Sequence, residues 1–294
     1  LYIDASSCTL RGHNVTSNDA ADNGGGLFIE NTPAVVTADE SSTITSNSAT
    51  NGGGVYVHLG EVLYRLMGGS SMSSNTASID GGGVYATGSD TSVVLTSSTV
   101  TTNSATQHGG GLYCSDGAQL NVTQSSVVSS NTGVDGGGVH VDASSVLVDS
   151  SEVRDNVASG NGGGCYARKT GSSSSTVSIV GSSSAVRSNQ AVNGGGLYLA
   201  SDVSGTIRSA TLGSNTATSY GGGVYMSGSV VVTSGAAVTS NTASNGHGGG
   251  WAAVAGADLT LQGGHTSSNT ASQSGGALYI DASSCTLRGH NVTS

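Results

Sequence analysis

A short phrase that returns ten times constrains this chain more than anything else in it. Glycine triplets begin at Gly24, Gly52, Gly81, Gly109, Gly136, Gly162, Gly194, Gly221 and Gly248, and a tenth copy at Gly275 reads Gly-Gly-Ala. The steps between them are 28, 29, 28, 27, 26, 32, 27, 27 and 27 residues. Five to seven residues before each stands an asparagine: Asn18, Asn47, Asn75, Asn103, Asn131, Asn156, Asn189, Asn215, Asn241 and Asn269. Three residues before that lies an apolar column of Val15, Ile44, Met72, Val100, Val128, Val153, Val186, Leu212 and Val238, broken only by Thr266. Self-similarity at such a period marks a stacked-repeat architecture.

The residues after each triplet alternate, as in Leu27-Phe28-Ile29, Val55-Tyr56-Val57 and Leu197-Tyr198-Leu199. Period two places successive side chains on opposite faces of a strand. A second alternating run follows in most units, for instance at 93–96, 146–148, 177–179 and 230–232, and a third leads into the asparagine. Three short strands in roughly 27 residues, with no helix-period pattern, describe one triangular coil of a parallel β-helix. About ten coils are expected, each unstable alone and each paired with its neighbours, at roughly 4.8 Å per coil and so roughly 48 Å in all.

The recurring residues then acquire structural roles. The asparagines are expected to form an amide ladder at a turn, and the glycines to allow a tight corner with positive φ. Phe28, Tyr56, Tyr85, Tyr113, Tyr166, Tyr198, Tyr225 and Tyr279 fall opposite the aliphatics and should form an outer aromatic stripe, interrupted at His140 and Ala252. Trp251 replaces an inward aliphatic and demands extra room. The 32-residue unit carries its surplus at 168–175, read as a surface bulge, and segment 59–67 is rich in large residues.

Residues 1–17, LYIDASSCTLRGHNVTS, return unchanged at 278–294. The triplets run on in phase across that interval of 277 residues. The reading is one large repeat plus an overlap within a longer tandem array, the alternative being a chain with matching ends that stacks head to tail. Neither end reads as a cap, and the residues after Leu1 do not read as a signal peptide.

Composition excludes several classes. A formal charge of −10 with only eight Lys and Arg argues against nucleic acid, and no apolar run approaches the roughly 18 residues of a membrane span. Cys8, Cys114, Cys165 and Cys285 lie in non-neighbouring units and read as small buried hydrophobes rather than bridges. His13, His58, His108, His140, His247 and His265 show no metal-ligand spacing and read as isolated surface side chains. No metal or cofactor is implied. Asp80 and Asp135 each precede a triplet but have no acidic counterpart in other units, so they read as solvent-facing corner residues rather than a catalytic pair, and no enzyme is expected. Asn14 and Asn121, with Asn291 as the copy of Asn14, head N-x-Thr sequons.

Gly-Gly-Ala-Leu at 275–278, together with the aliphatic-x-x-Asn phrase, resembles the repeats of the chlamydial polymorphic outer-membrane proteins. Those repeats read Gly-Gly-Ala-aliphatic and Phe-x-x-Asn. The likeness covers all ten units, although Gly replaces Ala in nine and an aliphatic replaces Phe throughout. It implies a right-handed parallel β-helix on an extracellular, adhesin-like surface protein, and transfers no catalytic residue. The functional expectation is a structural one: the repeating shaft of an extracellular filament, its partners being copies of itself. The rival expectation is a module that binds glycans or a partner through the tyrosine stripe.

Overall fold

The computed structural model describes residues 1–31, 33–58 and 60–293. It is all-β, with no helix among the described residues, and every strand pairs in parallel with its counterpart one coil away. Leu27–Glu30 pairs with Val55–His58, which pairs with Val84–Thr87, and so on to Leu278–Ile280. About ten turns stack in this way into one solenoid.

Sequence alternation leads one to expect three strands per coil, and the structure adds a fourth. Three sheets have eleven strands each, and a nine-stranded sheet is built from short segments such as Ser48–Ala49, Thr76–Ala77 and Thr132–Gly133. Two residues are too few to show an alternation. Their backbone groups must still pair once coils lie above and below, because an unpaired buried amide is costly.

In-register stacking sets like over like. Val55 faces Val84 and Val84 faces Leu112, while Ile44, Met72, Val100 and Val128 continue a second inward column. These side chains are fully buried and form one continuous core along the axis. The two inward irregularities explain each other. Trp251 is fully buried, and its indole Nε1 donates to Thr266 Oγ1 at 3.2 Å. Thr266, the one polar member of its column, thus supplies both the smaller volume and the acceptor that the indole needs.

The surplus of the long unit emerges as exposed residues 170–174, flanked by Lys169, whose Nζ lies 3.5 Å from Asp202. Within segment 59–67, Leu59 lies outside the described residues. Tyr64 turns inward, wholly buried, and its hydroxyl has no partner.

Candidate functional site

The asparagine ladder is made of three bonds per coil. Asn103 Nδ2 donates to Asn131 Oδ1 at 3.0 Å, and the Asn103 backbone N–H donates to the same oxygen at 2.9 Å. The second Nδ2 hydrogen turns back to the Met72 carbonyl at 3.2 Å. The amide–amide link recurs from Asn18 through Asn47, Asn75, Asn103, Asn131, Asn156, Asn189, Asn215 and Asn241 to Asn269, always between 2.8 and 3.0 Å. Both donors and both lone-pair directions of an interior asparagine are therefore used. The aliphatic-x-x-Asn spacing follows, since the carbonyl three residues before one asparagine receives the amide of the next.

That spacing is odd, whereas strict alternation would send Ile44 and Asn47 to opposite faces. The residue before each asparagine resolves the conflict by adopting left-handed backbone geometry. Ser17, Ser46, Ser74, Thr102, Ser130, Asp155, Ser188, Ser214, Ser240 and Ser268 all have φ between 54° and 58°. None is glycine, although L-residues pay to sit there. The triplet meets the ladder on the far side. Gly52 has φ +62°, and a Cβ on Gly54 would lie 2.6 Å from the Gly83 carbonyl and 3.2 Å from the Asn75 side chain. Only glycine lets coils approach so closely. The final member of this column, Ala277, belongs to the last coil, with no described coil beyond it.

Outside, the ring column is continuous over nine members. Centroid spacings from Tyr2 through Phe28, Tyr56, Tyr85, Tyr113, His140, Tyr166 and Tyr198 to Tyr225 run from 4.7 to 5.5 Å, with interplanar angles of 9° to 27°. One expectation is corrected here: His140 does not interrupt the stripe. Its imidazole stacks between Tyr113 at 5.1 Å and Tyr166 at 4.7 Å, because a five-membered ring presents the same flat face as a phenol. Only Ala252 breaks the column. Most rings are half-buried, and burial pushes the Tyr56 phenol up to about 12.

The two departures from a six-membered ring each follow a ring at the preceding corner. The residue before a triplet is Asn, Asp or Ser in seven coils, but it is His108 in the coil before His140, Tyr220 in the coil before Ala252 and His247 in the coil before Tyr279. His108 lies 4.7 Å from His140. The Tyr220 ring lies 6.3 Å from Tyr225 and 6.1 Å from Tyr279, the rings flanking the Ala252 level. Beside Ala252 the Tyr220 ring thus takes part of the volume an outward ring would use, whereas the smaller His247 ring leaves room for Tyr279 and stacks on it at 4.6 Å.

The corner also corrects the solvent-facing reading of Asp80 and Asp135, because each carboxylate accepts from the residue stacked on it. Asp80 Oδ1 receives the His108 N–H and Nδ1 at 3.0 and 2.9 Å. Asp135 Oδ1 receives the Asn161 N–H and Nδ2 at 2.8 and 3.1 Å. Nor is His140 a surface side chain: it is fully buried, and its Nε2 has no partner. Burial, aided by His108 and Arg168, holds the imidazole well below its ordinary range. Beside it Arg168 pairs with Asp142 at 2.7 Å.

All four cysteines are free, and burial pushes Cys114 and Cys165 up to about 12, so both remain thiols. Asn14 is exposed, and its Oδ1 accepts from Thr43 at 2.8 Å. Asn121 is half-buried on Gln119–Thr123, and Asn291 is exposed. No helix among the described residues is long and apolar enough to cross a membrane. A buried serine column at another corner, with Ser126 N–H donating to Ser151 Oγ at 3.2 Å, escaped the sequence reading. Its signal was a serine two residues before the inward aliphatic at Ser42, Ser70, Ser98, Ser126, Ser151 and Ser184. No protein-family model, curated protein or solved structure matches the chain.

Proposed function

We propose that this chain is the repeating shaft of an extracellular filament, with a mechanical rather than catalytic role. One observation carries the reading. The seventeen residues shared by 1–17 and 278–294 enter the same three sheets at both places. Residues 2–4 pair onward with Phe28–Glu30, and 14–16 with Thr43–Thr45. Residues 278–280 and 291–293 present the same chemistry on a free edge. A further copy of the Phe28–Thr45 coil would fit that edge without changing register, so copy number would set filament length. The resemblance to polymorphic outer-membrane repeats and the exposed sequon at Asn14 favour a cell-surface setting, with glycan on Asn14 and its copies.

Electron microscopy and fibre diffraction of native material test this reading. The expected result is a rod with a meridional spacing of roughly 4.8 Å and a longer axial period of roughly 48 Å per large repeat. Isolated particles without axial periodicity would sink it. The rival, a binding module using the stripe, is supported by the partly exposed rings of Tyr56 and Tyr85. A glycan array comparing the native chain with a Tyr56/Tyr85/Tyr113→Ser variant separates the two.

A further inference from the structure

We propose that the break in the ring column at Ala252 is a binding site for a quaternary ammonium group. Where the ring of one coil is missing, a cavity of about 250 Å³ opens, lined by Tyr220, Tyr225, Val254, Tyr279 and Asp281. Three of its five walls are tyrosine rings that do not lie parallel. Tyr220 stands at 64° to Tyr225 and at 49° to Tyr279. A parallel stack offers a ligand only its edges, whereas inclined rings leave room between them, here on the faces of Tyr220 and Tyr279 that His247 does not cover. Faces within about 6 Å of a cation attract it, and such cages recognise methylated ammonium groups.

The remaining walls suit the same ligand. Val254 supplies an apolar floor for methyl groups. Asp281, one coil on, is exposed, and its backbone N–H is tied to the Ala253 carbonyl at 2.9 Å. Its carboxylate gives the cavity a negative charge, and no cationic side chain lines it. His247 stacks on Tyr279 at 4.6 Å and on Tyr220 at 5.3 Å, which holds two of the three rings in place without ligand. Stripe positions in the other coils carry a ring or imidazole, so the cage occurs once per large repeat. It owes nothing to the shaft reading, and either can fail alone.

Titration of the full chain with choline, followed by calorimetry and by tyrosine ring NMR signals, tests the proposal. Saturable binding is expected with Kd near or below about 1 mM. The uncharged isostere 3,3-dimethyl-1-butanol should bind at least about tenfold more weakly. Tyr220→Asn/Ala252→Tyr restores the small corner and the outward ring found elsewhere, so it should melt like the native chain and lose choline binding. Asp281→Asn, at an exposed position, should weaken choline severalfold and leave the neutral isostere unchanged. Sedimentation with phosphatidylcholine vesicles distinguishes a lipid headgroup, which would carry the chain down, from a free small molecule, which would not. No saturable choline binding would overturn the proposal, as would equal affinity for the neutral isostere. If the double variant fails to fold, an Asp281→Asn chain that binds choline as tightly as the native one overturns it instead.

Discussion

Two columns run the length of the solenoid, and they differ in what they tolerate. The inner column is asparagine in all ten coils, whereas the outer one accepts tyrosine, phenylalanine, histidine and alanine. The reason is the number of specific demands at each position. An interior asparagine must donate twice and accept twice in a water-free corner, and no other side chain of that length does both. An outer position needs only a flat surface about one coil thick, and most of its rings keep one edge in solvent. A directional requirement is all-or-none, while a stacking requirement is graded.

The contrast is most severely strained by removing one rung. Asn131→Ala would strip the Asn103 N–H and Nδ2 of their acceptor and remove the side-chain bonds to Asn156 Oδ1 and the Val100 carbonyl. With buried unsatisfied groups costing about 1–3 kcal/mol each, a loss of about 3–6 kcal/mol is expected, read by chemical denaturation and by hydrogen exchange in the neighbouring coils. Gly110→Ala should follow, at about 1–3 kcal/mol or more for overpacking, because its Cβ would lie 2.6 Å from the Gly137 carbonyl.

His140 sharpens the comparison through pH. Its folded-state pKa is depressed, so below about 6.5 the unfolded chain binds a proton that the folded chain refuses. Above that pH the linkage contributes no penalty, because both states hold the imidazole neutral. Stability should fall as pH drops from about 6.5 toward the folded value, by at most about 1.4 kcal/mol per pH unit for one proton. Thermal melts of a His140→Phe variant should lose that component. A melting temperature with the same acid slope in both chains would assign the effect to other groups. The smallest effect is expected from Tyr85→Ser, about 1 kcal/mol for lost stacking and burial, with the solenoid intact. Should it cost as much as Asn131→Ala, the distinction between the columns collapses.

Much of this is legible in the sequence alone. Like residues stack because parallel pairing in register forces them to, so each structural column appears in the sequence as a periodic one. The legible columns are those with a conspicuous residue, such as Asn47 and its copies or Tyr56 and its copies. The left-handed serines were not legible, because Ser46 and Ser74 look like ordinary polar filler and their φ of 57° and 55° is decided by the inward turn of the next residue. The fourth sheet was hidden by its brevity, and the paired carboxylates at Asp80 and Asp135 by the change of their partner from coil to coil.

By itself, then, the sequence determined the period, the coil and the identity of its inner and outer faces, because those depend on one position repeated along one axis. Tertiary structure decided what happens at the exceptions. Trp251 is housed by Thr266, His140 is sealed under His108, and the vacancy at Ala252 is walled by Tyr220 and Tyr279. Each pairs different columns in the same or neighbouring coils, and whether two such side chains meet depends on their volumes and ring orientations in three dimensions, which no single column records.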